Sequence, residues 1–104
     1  MFGGGDYAEV ARWLGNFVTS HAKRENLRVE AVLEAEGPRQ GRSYGVRLRL
    51  GDALCPAADV ASLELAFAEV ASGRGSLIWC DALAARVRAL ARELAPADTR
   101  PLRA

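Results

Sequence analysis

Few residues in this chain belong to the types that react, and they lie far apart. His21 is the only histidine among 104 residues, so any site that needs imidazole has one member. It stands near the end of an apolar helical stripe, where the helix dipole favours a cation. Its active roles would be general base or metal ligand, but that position favours a packed histidine bonded to a nearby carbonyl. Cys55 and Cys80 are 25 positions apart, with no Cys-x-x-Cys and no histidine at metal-ligand spacing. Cys55 precedes Pro56 at the approach to an expected helix, where a thiol pKa is lowered, and is the candidate reactive thiol. Cys80 falls on an inner stripe and reads as a small hydrophobe. Glu30, Glu34 and Glu36 share one strand face with arginines opposite them, the pattern of solvated ion pairs rather than of a proton-transfer pair. No Gly-x-Ser-x-Gly elbow is present. The glycines at 3–5 have neither a preceding strand nor a Gly-Lys-Ser/Thr to make a phosphate loop. No catalytic, cofactor-binding or metal-ligating residue is expected.

The elements that would hold such residues are easier to read. Asp6 followed by Glu9 resembles a capping box. Tyr7, Val10, Ala11, Leu14, Phe17, Val18 and His21 then recur at helical spacing, which predicts a helix over about 6–23. From Leu27 the period becomes two, with Leu27, Val29, Ala31, Leu33 and Ala35 on one face and charges on the other. After the turn residues 37–42, Tyr44, Val46, Leu48 and Leu50 alternate with Arg47 and Arg49. An antiparallel hairpin of about 27–36 and 43–51 follows. Its register sets Leu33 near Val46, Ala31 near Leu48 and Glu30 opposite Arg49. Residues 51–59 read as a connector. Asp59 is the expected cap of a helix to about 72, with Val60, Leu63, Phe67 and Val70 inward and Leu65 on the far side. Gly73 ends that helix. A third helix over about 76–95 is marked by Leu83, Val87, Leu90, Ala91 and Leu94 and ended by Pro96. Its first residues, 76–80, have a short third strand as their alternative. The expected fold class is therefore α+β, in the order α-β-β-α-α, with one domain over 1–95 and a loose tail over 96–104.

Composition narrows the class further. Half the residues are hydrophobic and the formal net charge is +1, which excludes a chain disordered throughout. Two cysteines are too few for a disulfide scaffold, and no apolar run approaches a membrane span. Asp6, Glu9 and Arg12 interrupt the only stretch resembling a secretory signal, so a cytoplasmic location is expected. Thirteen of the 14 basic residues are arginine and 20 residues are alanine, the bacterial-like bias of a G+C-rich coding sequence. Arginine abundance is thereby accounted for without an anionic partner. Charge is nevertheless uneven. Residues 53–73 carry Asp59, Glu64 and Glu69 with no base, whereas 74–104 carry six arginines against three acids. Mutual neutralisation of neighbouring helices is the expected use. Arg74, Arg86, Arg88 and Arg92 are the candidate anion or nucleic-acid contacts, with no aromatic residues interleaved as a stacking platform would need.

The order helix, strand, strand, helix, glycine turn, helix resembles the bacterial-type (type II) KH domain. Ser72-Gly73-Arg74-Gly75-Ser76 would stand where that family has its Gly-x-x-Gly loop, which implies single-stranded nucleic acid at that turn. The glycines are one residue apart here rather than two, and the family's closing strand has no counterpart.

A two-stranded hairpin is marginal in water, and its unpaired edges are templates for another strand. The expectation is a small non-catalytic binding or assembly module, homodimeric through hairpin edge pairing. Trp13, Leu65 and Tyr44 are the candidate interface residues. The alternatives are a single-stranded nucleic-acid-binding module using Gly73-Arg74-Gly75 and the C-terminal arginines, and a thiol-dependent protein using Cys55.

Overall fold

The computed structural model describes residues 6–98. Helix α1 (Tyr7–Glu25) begins at Asp6, whose side chain accepts from the Glu9 amide at 2.7 Å. Val10, Leu14, Val18 and Ala22 form its buried stripe, as the spacing predicts. Strands β1 (Glu30–Glu34) and β2 (Ser43–Leu50) make the expected hairpin, joined through a 3-10 turn at Gly37–Arg39. Its register pairs Glu30 with Arg49, Ala31 with Leu48 and Leu33 with Val46. Gly51, at a φ of 62°, turns the chain back so that β3 (Ala53–Cys55) pairs with the C-terminal half of β2. A loop over 56–62 leads to β4 (Leu63–Ala66), which pairs antiparallel with the N-terminal half of β2. Strands β3 and β4 thus lie end to end along one side of β2, with β1 on the other. Helix α2 (Phe67–Gly73) follows directly, and α3 (Leu77–Asp98) completes the described chain.

The fold is α+β and keeps the expected order, with two short strands added between hairpin and helices. The helix expected over 59–72 forms only at Phe67–Gly73. Upstream of it, Leu63-Glu64-Leu65-Ala66 also alternates with a period of two, and β2 has backbone groups to satisfy along that side. The ladder wins over the helix, and Leu65 turns inward opposite Tyr44. Leu65 is 2 % exposed, the reverse of the outward position a helix would give it. Val60, expected inward, is exposed in the loop. The alternative strand at 76–80 is not formed. Ser76 caps α3, its hydroxyl accepting from the Trp79 amide at 3.2 Å. Helix α3 also continues past Pro96 to Asp98, so the first residues of the expected tail are helical, and the remainder lies outside the described residues.

Helices α1 and α3 pack on one face of the sheet, α1 over β1 and α3 over β2 and β3. The two run side by side in the same direction, with Trp13 near Trp79 at one end and Glu25 bonded to Arg92 at the other. Tyr44, Val46, Leu48 and Leu50 of β2 are buried beneath them with Val87, Ala91 and Leu94 of α3. Tyr7 and Tyr44 stack at 4.6 Å with their planes 8° apart, and Phe67 closes edge-on against both. The Tyr44 hydroxyl donates to the Tyr7 carbonyl at 2.7 Å, while the Tyr7 hydroxyl lies within bonding reach of the Ala35, Arg39 and Ser43 carbonyls. This pair ties the start of α1 to the turn end of the hairpin.

Candidate functional site

The sheet face away from the helices carries the densest polar grouping. At its centre Gly45 is buried with no side chain, and Glu34, Arg39 and Ser62 meet over it. A Cβ there would lie 2.5 Å from the Ser62 hydroxyl and 2.8 Å from a Glu34 oxygen. Arg39 reaches across to Glu64 at 3.0 Å, and Ser43 donates to the same carboxylate at 2.7 Å. Bonds from Arg39 and then Ser43 hold the Glu64 carboxyl below its ordinary range. Arg49 bonds Glu30 across the strands as the register requires. Arg47 bonds Glu34 at 3.1 Å and also donates to the carbonyls of Pro56, Ala57 and Val60. Its guanidinium therefore fastens the 56–62 loop to the sheet. The carboxylates here are bound to cations or hydroxyls, an arrangement suited to rigidity rather than proton transfer.

Two of the expected interface residues have no surface to offer. Tyr44 is fully buried in the aromatic cluster, and Leu65 is buried beside it because it sits on a strand instead of a helix. Trp13 is half-buried, its ring 5.0 Å from Phe17 and 6.3 Å from Trp79. The residues exposed in their place are Leu27, Leu77 and Ile78, with Leu77 and Ile78 at 82 % and 84 %. Both are off the inner stripe of α3, a signal already present in the helical spacing of 77–83.

The candidate reactive thiol is corrected as well. Cys55 is buried on β3 rather than placed before a helix, and its thiol is pushed up to about 11 by burial and by its bond to Glu93. The Gly73-Arg74-Gly75 turn has an internal explanation. Gly73 is buried against the indole of Trp79, where a Cβ would lie 2.3 Å from the ring. Arg74 turns back towards Glu9, at 4.0 Å. Of the other candidate arginines, Arg92 pairs with Glu25, and the Nε of Arg88 is buried without a partner. Arg86 alone of the four is exposed and unpaired among the described residues. The glycine turn and these arginines are not gathered into one surface. His21 packs against Phe17 at 4.4 Å between ring centroids; its Nδ1 is buried and unpartnered, so the expected carbonyl bond is absent.

The sequence signalled an open hairpin edge, and the structure leaves one at β1, but it gave no sign of the hollows on the other side of β2. The outer edge of β1 pairs with no strand among the described residues. On the opposite side, a cavity of about 270 Å3 lies between the 56–62 loop and α3, lined by Pro56, Ala61, Leu63, Ala89 and Leu90 with Arg86. A smaller hollow of about 110 Å3 beside Leu65 and Trp79 shares Arg86 with it. Among the described residues no group of three or more His, Cys, Asp or Glu could hold a metal ion. Nor is any described helix long and apolar enough to cross a membrane. Comparison with protein-family models, with curated proteins and with solved structures finds no match.

Proposed function

We propose that this chain is a small, cytoplasmic binding and assembly module without catalytic chemistry, which forms a homodimer by pairing the outer edge of β1 with a second copy. The observation that carries this reading is the open edge itself. Three adjacent apolar residues, Ala31-Val32-Leu33, form the middle of a strand bonded on one side only. Such an edge is a template for another strand, and a two-fold axis satisfies it with the same surface twice.

Charge selects the register. Antiparallel self-pairing centred on Val32 would set Glu30 against Glu34 of the other copy, a like-charge contact. Centring on Ala31 sets Glu30 against Val32 and avoids it. The paired sheet would then run through both copies, with each pair of helices on the same face. Two free cysteines are compatible with a reducing compartment. The scattered arginines give little support to the nucleic-acid alternative, and the buried thiol of Cys55 gives little to a thiol-dependent one.

Sedimentation at micromolar concentration is expected to give about twice the 11.2 kDa of one chain. Val32→Glu places a carboxylate opposite Glu30 of the second copy and is expected to yield monomer. Val32→Lys places a cation there and is expected to remain dimeric. A wild-type monomer, or equal behaviour of the two variants, would overturn the proposal.

A further inference from the structure

We infer that the groove between β4 and α3 receives the C-terminal end of a partner polypeptide, its apolar last residues lying in the wider hollow and its terminal carboxylate on Arg86. This goes beyond the β1 interface and uses the opposite side of the sheet. Strand β4 pairs only with β2, so its other edge is open among the described residues. Helix α3 presents Ala82, Arg86, Ala89 and Leu90 along the two hollows, positions that recur at helical spacing. The hollows are therefore walled by the helix-facing residues of β4, Leu63 and Leu65, on one side and by α3 on the other. An extended peptide entering such a slot gains apolar contact with both walls.

The position of Arg86 defines the occupant. It lines both hollows, is exposed, and has no ion pair or hydrogen bond among the described residues. On one side of it lies the wider cavity, about 270 Å3, walled by Pro56, Ala61, Leu63, Ala89 and Leu90. On the other the groove shrinks to about 110 Å3 and carries Glu69, whose carboxylate accepts from the Trp79 indole at 3.2 Å. A chain continuing past Arg86 would meet the narrowing and a like charge if it were acidic. A chain ending at Arg86 places its carboxylate on the unpaired guanidinium and keeps its apolar residues in the wider part. The order of lining residues sets the direction: the peptide runs parallel to β4 and antiparallel to α3.

The test is titration of the full chain with the peptide acetyl-Ser-Thr-Val-Ala-Val carrying a free C-terminal carboxylate, followed by calorimetry. Saturable binding is expected, weakened about tenfold or more when the C-terminus is an amide or when Arg86 is replaced in Arg86→Met. Arg86 is exposed and unpaired, so that variant keeps the fold, which its circular dichroism verifies. Ala89→Trp, which fills the wider hollow, is expected to abolish binding. The Val32→Glu chain is expected to bind the peptide as the wild type does, so that a failed β1 interface is told apart from a failed groove. No binding at millimolar peptide, or equal binding of acid and amide, would overturn the inference. So would decanoate occupying the groove while the peptide does not, since the occupant would then be a lipid-like acid.

Discussion

Gly73 packs directly against Trp79. The indole lies where the first carbon of a side chain would stand, so the turn between α2 and α3 closes only over a hydrogen atom. Gly73→Ala is therefore expected to destabilise the fold by about 1–3 kcal/mol, through overpacking against a ring that also neighbours Trp13 and bonds Glu69. Chemical denaturation followed by tryptophan fluorescence measures both the loss and the displaced ring. His21 makes a separate prediction. Its imidazole pKa is lowered from 6.5, first by burial and then by Arg24 and Arg88, with Asp81 opposing. The unfolded chain therefore takes up the proton first as pH falls, and stability drops from about pH 6.5 down through the depressed value. His21→Gln is expected to flatten the stability curve in that window. It leaves untouched the acid loss below the ordinary carboxyl value of 4.5, where Glu30 and Glu64 lose their bonded, charged forms. A variant with the wild-type slope between pH 7 and 5 would contradict this.

Among the elements, the 56–62 loop depends on one side chain. Arg47 is 12 % exposed and joins Glu34 to three loop carbonyls. Arg47→Met keeps the aliphatic stem but removes these charge-assisted bonds, and is expected to cost about 2 kcal/mol. Amide hydrogen exchange is expected to quicken over the loop while β1 and the buried stripe of α1 stay protected; unchanged exchange over 56–62 would contradict the role. How far each element was legible follows from its periodicity. The first helix and the hairpin have long, single-period runs, and in the hairpin the apolar row and the opposite charges agree on one register. Residues 60–70 satisfy both periods: Val60, Leu63, Phe67 and Val70 read as a helix, and Leu63 with Leu65 reads as a strand. The choice is made by β2, a partner that a local pattern does not contain. Strand β3 is three residues long, too short for alternation to register. The same limits governed the site. Unpaired hairpin edges and surface arginines were nameable, but which edge stays open, and the groove itself, follow only once β3 and β4 have taken the other side of β2.

At the scale of the whole molecule, part of the near-neutral total is paired internally. The sheet's outer face binds its own carboxylates, and Arg92 and Arg74 turn to Glu25 and Glu9 on α1. The expected pairing of an acidic second helix with a basic third is replaced by these contacts to α1 and by the Glu64 cluster on the sheet. Among the described residues, backbone edges are open on both sides of the sheet, at β1 and at β4. The proposed self-assembly at β1 rests on the first of these edges. The most direct test is an isotope-filtered NMR experiment on an equimolar mixture of labelled and unlabelled chains. Intermolecular contacts are expected within β1, closest about Ala31 and pairing Glu30 with Val32 of the other copy. A dimer whose intermolecular contacts lie elsewhere, or a sample with none at all, would contradict it.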